Sequence, residues 1–160
     1  MSDSKLSPSY LIATCFGIGK IPMAPGTWGS LFALPFGWAL LTYSSWHLMA
    51  ALIVVLTWVG AWAAARHTEQ SGKHDAGEVV IDELVGQWIS LFPLYFMSFT
   101  AEKIPSIALC FLLFRLFDIV KPWPIGLLDQ NIKSGWGVMI DDIAAGIMAA
   151  ISFIIVDKVF

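Results

Sequence analysis

Long apolar runs broken by short polar stretches dominate the chain. Uncharged windows run from Thr27 to Trp46, Leu48 to Ala65 and Leu84 to Ala101. Each approaches the roughly 20 residues that a helix rising ~1.5 Å per residue needs to cross a bilayer. Two further runs carry charge: Ile104 to Val120 holds Arg115 and Asp118, and Val138 to Val156 holds Asp141 and Asp142. Both still read as spans, provided the charges lie near one end and face protein or water instead of lipid. Strand-like alternation is absent. The pattern predicts a short helix over Pro8 to Phe16, then helices near 28–45, 47–65, 81–100, 104–120 and 138–157. Pro35 and Pro93 fall inside spans and are expected to kink them. The expected fold class is all-α: a polytopic membrane helix bundle of about five spanning or embedded helices plus a short N-terminal helix, forming one domain over residues 1–160.

Composition agrees with lipid as the solvent. The chain is 58% hydrophobic and 13% charged, with a mean hydropathy of +0.74, about half the charge of an ordinary soluble domain. A net charge of -3 without a Lys/Arg cluster argues against nucleic acid as a partner. Cys15 and Cys110 suggest neither a disulfide framework nor a zinc spacing, and read as small apolar fillers. The apolar run after Lys5 is short and broken by glycines, so it is expected to be retained as a half-length helix. With the N-terminus in the cytoplasm, Lys5, Lys20, Arg66, Lys73, Lys121 and Lys133 lie inside and only Lys103 and Lys158 outside. That choice brings Asp82, Glu83, Asp118, Asp141 and Asp142 to the cytoplasmic face together.

Two stretches, "VVIDELVG" and "VMIDDIAAG", each place a carboxylate pair behind three apolar residues. In a soluble helix such acids most often complement the positive end of the macrodipole. At membrane depth an ionised acid costs on the order of 2.5–3.5 kcal/mol and needs a partner. The chain offers too few cations for ion pairs to explain all of them, so a divalent ion is the economical partner, and oxygen ligation favours Mg²⁺ or Mn²⁺. In "APGTWGSL", Thr27 and Ser30 are candidates either to cap a helix or, with Gly26 and Gly29, to let a helix N-terminus approach a phosphate. In "FRLFDIVKPWP", Arg115, Asp118 and Lys121 follow one side of a helix that Pro122 ends. They form either a self-neutralising pair with a snorkelling lysine, or a metal-shell carboxylate beside cations that hold phosphate oxygens. His74 beside Asp75 is an outside candidate for proton transfer. The set suits hydrolysis of a phosphate on a lipid headgroup at a cytoplasm-facing membrane site.

The stretches "PGTWGSL", "HDAGEVVIDELVG", "FRLFDIVKPWPI" and "GVMIDDIAAG" resemble, in order and spacing, the phosphatidylglycerophosphatase A family of bacterial inner-membrane enzymes. The resemblance implies a Mg²⁺-dependent, all-helical, multi-pass phosphatase that converts the membrane lipid phosphatidylglycerophosphate to phosphatidylglycerol in phospholipid synthesis. Carried over residue by residue, it implies Asp82, Glu83, Asp118, Asp141 and Asp142 as catalytic and metal-holding groups, and Gly26, Thr27, Gly29, Ser30, Arg115 and Lys121 as phosphate-binding ones. The rival reading is a membrane cation transporter with a carboxylate-lined pathway. Against it, the acids gather at one face instead of at several depths.

Overall fold

The computed structural model describes residues 7–71, 77–97, 103–123, 125–126 and 135–159, and among these the chain is all-helical. Six helices follow in order: α1 (Pro8–Ala13), α2 (Pro25–Tyr43), α3 (Trp46–Ser71), α4 (Ile81–Leu91), α5 (Lys103–Val120) and α6 (Gly135–Val159). Single 3₁₀ turns lie at Ile18–Lys20 and Phe92–Phe96. His74, Asp75 and the loop lysines Lys5, Lys73 and Lys133 fall outside the described residues.

Helix α4 is the axis of the bundle, with α6, α2, α5 and α3 packed around it. Its residues Leu84, Val85, Gly86, Gln87, Trp88, Ser90 and Leu91 are all buried, and the Trp88 Nε1 donates to the Ala33 carbonyl of α2 at 3.0 Å. Small residues set how closely the neighbours approach. A Cβ placed on Gly146 of α6 would lie 2.5 Å from the Gly86 carbonyl oxygen, and one on Gly86 would lie 2.7 Å from the Asp142 carbonyl oxygen. The small residues of α6 therefore lie where it meets α4, with Ala145 and Ala149 fully buried beside Gly146.

The two spans containing proline behave differently. Helix α2 continues through Pro35. Helix α4 stops at Leu91, well short of the helix expected over 81–100, because Pro93 offers no N–H to the ladder and the chain tightens into the 3₁₀ turn. Two helices are long and apolar enough to cross a membrane, over Trp46–Gln70 of α3 and Gly135–Val159 of α6. Their outward faces stay apolar and uncovered, with Val54, Val55, Trp58 and Trp62 exposed on α3 and Ile147, Ile151, Ile154 and Ile155 on α6. Uncovered apolar surface of that extent fits a lipid solvent. Both cysteines are free and buried, as fillers should be.

The N-terminal arm braces the approach to α4. Ser7 caps α1, accepting from the Tyr10 amide, and the Tyr10 ring packs on His67 near the far end of α3 with centroids 5.6 Å apart. Downstream, the Val80 amide donates to the Ala13 carbonyl at 2.8 Å, and the Cys15 thiol donates to the Val80 carbonyl at 3.7 Å. Val80, the N-cap of α4, is thus held through both its amide and its carbonyl by a segment about 65 positions away.

Candidate metal and phosphate site

Asp82 and Glu83 occupy the first turn of α4, whose N-terminus has no side-chain cap. Asp142 comes from α6, and one oxygen from each of the three carboxylates lies within 4.8 Å of the others. A single divalent ion bound at roughly 2.0–2.6 Å holds oxygens no more than about 4–5 Å apart, so the spacing fits. The Asp82 Oδ1, Glu83 Oε2 and Asp142 Oδ2 atoms are buried without a hydrogen-bond partner. Carboxylates present only to complement a helix dipole would be solvated or hydrogen-bonded, whereas three neighbouring buried carboxylates that each keep an unpartnered oxygen suit a cation. For Asp142 the dipole account fails on geometry as well. Helix α6 begins at Gly135, not near residue 138, so the acid sits two turns inside, beyond the reach of the terminal partial charge.

A pattern that the sequence reading passed over accounts for the meeting of the two pairs. Asp82 is followed four residues later by Gly86, and Asp142 four residues later by Gly146. Residues four apart share a helix face. The glycines form the crossing of α4 and α6, and the acids meet one turn above it. The repeated Asp-x-x-x-Gly spacing was the available signal.

Asp118 borders this group. Its Oδ2 takes the Arg115 Nη1 at 2.6 Å, and its carboxyl lies beside Asp142. The Arg115 Nη1 also donates to the Ser30 hydroxyl at 3.3 Å, tying α5 to α2, while its buried Nε has no partner. Of the two alternatives raised for this helix side, the ion pair with Asp118 is present, and the guanidinium keeps one buried donor unused. Asp141 is not one of the three clustered carboxylates. Its Oδ2 accepts from Lys121 Nζ at 2.6 Å, so these two expected site residues pair with one another at the rim.

The glycine-rich start of α2 closes the opposite side. A Cβ on Gly26 would lie 2.2 Å from Glu83 Oε1 and 3.2 Å from Arg115 Nη1, so only glycine admits both groups there. Gly29 serves packing, since its Cβ would meet Val80. Neither hydroxyl is the N-cap. Ala24 occupies that position with no side-chain cap, and Ser30 Oγ donates back to the Gly26 carbonyl at 2.9 Å. Thr27 lies half-buried in the first turn. Ala24 and Lys121 both hold left-handed backbone, at φ 52° and 45°, and each directly precedes a proline. Non-glycine residues in that region cost on the order of 1–3 kcal/mol and concentrate at functional sites. The N-termini of α2 and α4 thus converge uncapped on one pocket of carboxylates and a guanidinium, an arrangement suited to anions bridged by a cation.

Comparison with known proteins covers nearly the whole chain. The phosphatidylglycerophosphatase A family matches over residues 11–157. Phosphatidylglycerophosphatase A of Escherichia coli is 39% identical over 144 residues, covering 90% of this chain and 80% of that protein. The enzyme of the same name from Haemophilus influenzae is 38% identical over 148 residues, covering 92% and 88%. A Bacteroides thetaiotaomicron protein named "Putative phosphatidylinositol-3-phosphatase" is 40% identical over 157 residues, covering 90% and 92%. No solved structure matches. The matched segment contains every carboxylate, cation and glycine placed above, and the chain belongs to the phosphatidylglycerophosphatase A family.

Proposed function

We propose that this protein is a Mg²⁺-dependent phosphatase that hydrolyses the phosphomonoester of phosphatidylglycerophosphate, in a multi-pass domain of the bacterial inner membrane with its site facing the cytoplasm. The observation that carries the reading is the meeting of three clustered carboxylates with Arg115 at the glycine-lined start of α2. Asp82, Glu83 and Asp142 would hold the ion. Bound there, Mg²⁺ supplies charge neutralisation of the phosphoryl oxygens and activation of a water. The chain's own groups do the rest. Arg115, oriented by Asp118, offers its free Nε–H to a phosphate oxygen. Gly26 and the uncapped turn behind it allow close backbone approach. Lys121 stands at the rim and exchanges Asp141 for a second phosphate oxygen, while a carboxylate of the group takes the proton released as water attacks. Lys20, Arg66 and Lys121 share the site's end of the bundle, while Lys158 is in the last turn of α6 at the other end, which supports the cytoplasmic orientation.

The Bacteroides relative's name favours a second reading, in which the same phosphomonoester chemistry serves an inositol lipid. Phosphate release from phosphatidylglycerophosphate, phosphatidylinositol 3-phosphate and phosphatidic acid by purified protein in mixed micelles separates the two. The expected result is preference for phosphatidylglycerophosphate, loss in excess EDTA and return with Mg²⁺. Full turnover in EDTA removes the metal role, and preference for the inositol lipid reassigns the substrate.

A further inference from the structure

Measured along α3, the carboxylates fall below the level at which a lipid phosphate normally sits, and the described helices around them end at different heights. Gly60 of α3 is level with the carboxylates, since a Cβ on it would touch Met139 and Ile81. At ~1.5 Å per residue, Gly60 is about 21 Å from Trp46 and about 9 Å short of Arg66, the first charged residue along α3. Trp46 to Arg66 therefore matches the roughly 30 Å hydrocarbon thickness, and the carboxylates lie about 9 Å beneath its boundary. On one side the helices rise well above that level: α3 continues for about 16 Å beyond Gly60, α6 begins about 10 Å before Asp142, and α1 packs along the top of α3. On the other side α2 starts one residue before Gly26, and α5 ends two residues after Asp118, within about 3 Å of the site's level.

Arg115 marks that low side. Its Nη1 reaches Ser30 across the gap from α5 to α2. On α5 it borders a stripe of Leu112, Leu116 and Ile119, which are 62%, 53% and 68% exposed and have no protein neighbour to cover them among the described residues. A headgroup brought to Arg115 from this direction keeps its acyl chains in the bilayer, against the stripe. Arrival from the water side would require drawing both chains out of lipid.

We propose that a phosphomonoester-bearing glycerolipid reaches the carboxylates sideways, through a portal between the first turn of α2 and the last turns of α5, with its acyl chains on Leu112, Leu116 and Ile119. The proposal rests on the phosphatase reading above. It is tested with Leu116→Trp and Ile119→Trp, with Val55→Trp and Ile151→Trp on α3 and α6 as lipid-facing comparisons. Each is assayed on long-chain phosphatidylglycerophosphate in vesicles and on a dibutyroyl analogue free in water. The expected result is at least a fivefold fall in the long-chain to short-chain ratio of kcat/KM for the two α5 variants, and an unaltered ratio for the other two. Turnover of the short-chain analogue reports that the site is folded, so a portal effect is told apart from unfolding. Equal ratios across all four variants overturn the portal and leave the phosphatase reading standing. Absence of phosphate release from either substrate by the parent protein overturns the phosphatase reading, and the portal with it.

Discussion

Replacing Gly146 by alanine tests whether the helix crossing, and not merely the presence of three acids, makes the site. The added Cβ would lie 2.5 Å from the Gly86 carbonyl oxygen and 3.1 Å from the Ile89 Cβ, where ordinary contact begins at 3.4 Å. The oxygen belongs to the backbone of a largely buried helix and has no rotamer to adopt. Helices α4 and α6 must therefore part by about 0.9 Å, the shortfall from ordinary contact, and the acids one turn above the crossing move with them. Constellations of this type tolerate about 0.5 Å, and a 1 Å misplacement costs on the order of 10²-fold. Stability should respond far less. Overpacking costs about 1–3 kcal/mol, and alanine's better helix propensity returns about 1 kcal/mol of it. The measurement is phosphate release beside thermal melting in detergent, with the expected result a roughly hundredfold loss of kcat/KM in a protein that still melts cooperatively. Activity within threefold of the parent would show that α6 can shift without disturbing Asp142, and the crossing would lose its role.

Two further substitutions address the charges themselves. Asp82→Asn or Asp142→Asn should abolish turnover yet leave the metal-free protein as stable as the parent or more so, because removing one of several crowded buried acids relieves repulsion; a variant that melts early but still turns over refutes metal holding by that residue. Lys121→Met should lower kcat/KM by roughly ten- to hundredfold, the ~1.5–3 kcal/mol of a charge-assisted hydrogen bond, and an unchanged value would confine Lys121 to its pair with Asp141.

Helix positions were legible in the sequence because apolar runs of membrane length leave few alternatives, and the gathering of acids at one end followed from counting loop charges. Boundaries were less so. The pattern alone places the start of α6 near residue 138, but Gly135 packs against the Ala61 carbonyl and Ala65 of α3, and that tertiary contact extends the helix back through a Gly-Trp-Gly stretch with poor intrinsic propensity. Nor could spacing separate Asp141 from Asp142. Adjacent helical residues point ~100° apart, and only the packing of α6 on α4 decides which one turns inward and which one meets Lys121. Ser30 looked like a cap, but its hydroxyl serves the Gly26 carbonyl and Arg115 instead, a choice fixed by α5, 85 residues away in the chain.

The division of the three carboxylates between α4 and α6 also bears on how the protein is made. Synthesis delivers α4 to the membrane well before α6, with Asp82 and Glu83 already side by side at its head. Until α6 arrives, the nascent bundle carries two neighbouring acids without Asp142 beside them, and the face of α4 around Gly86 lies uncovered. Arrival of α6 buries the Gly86 face and supplies Asp142 in one docking event, so a single step completes both the helix crossing and the three-carboxylate group.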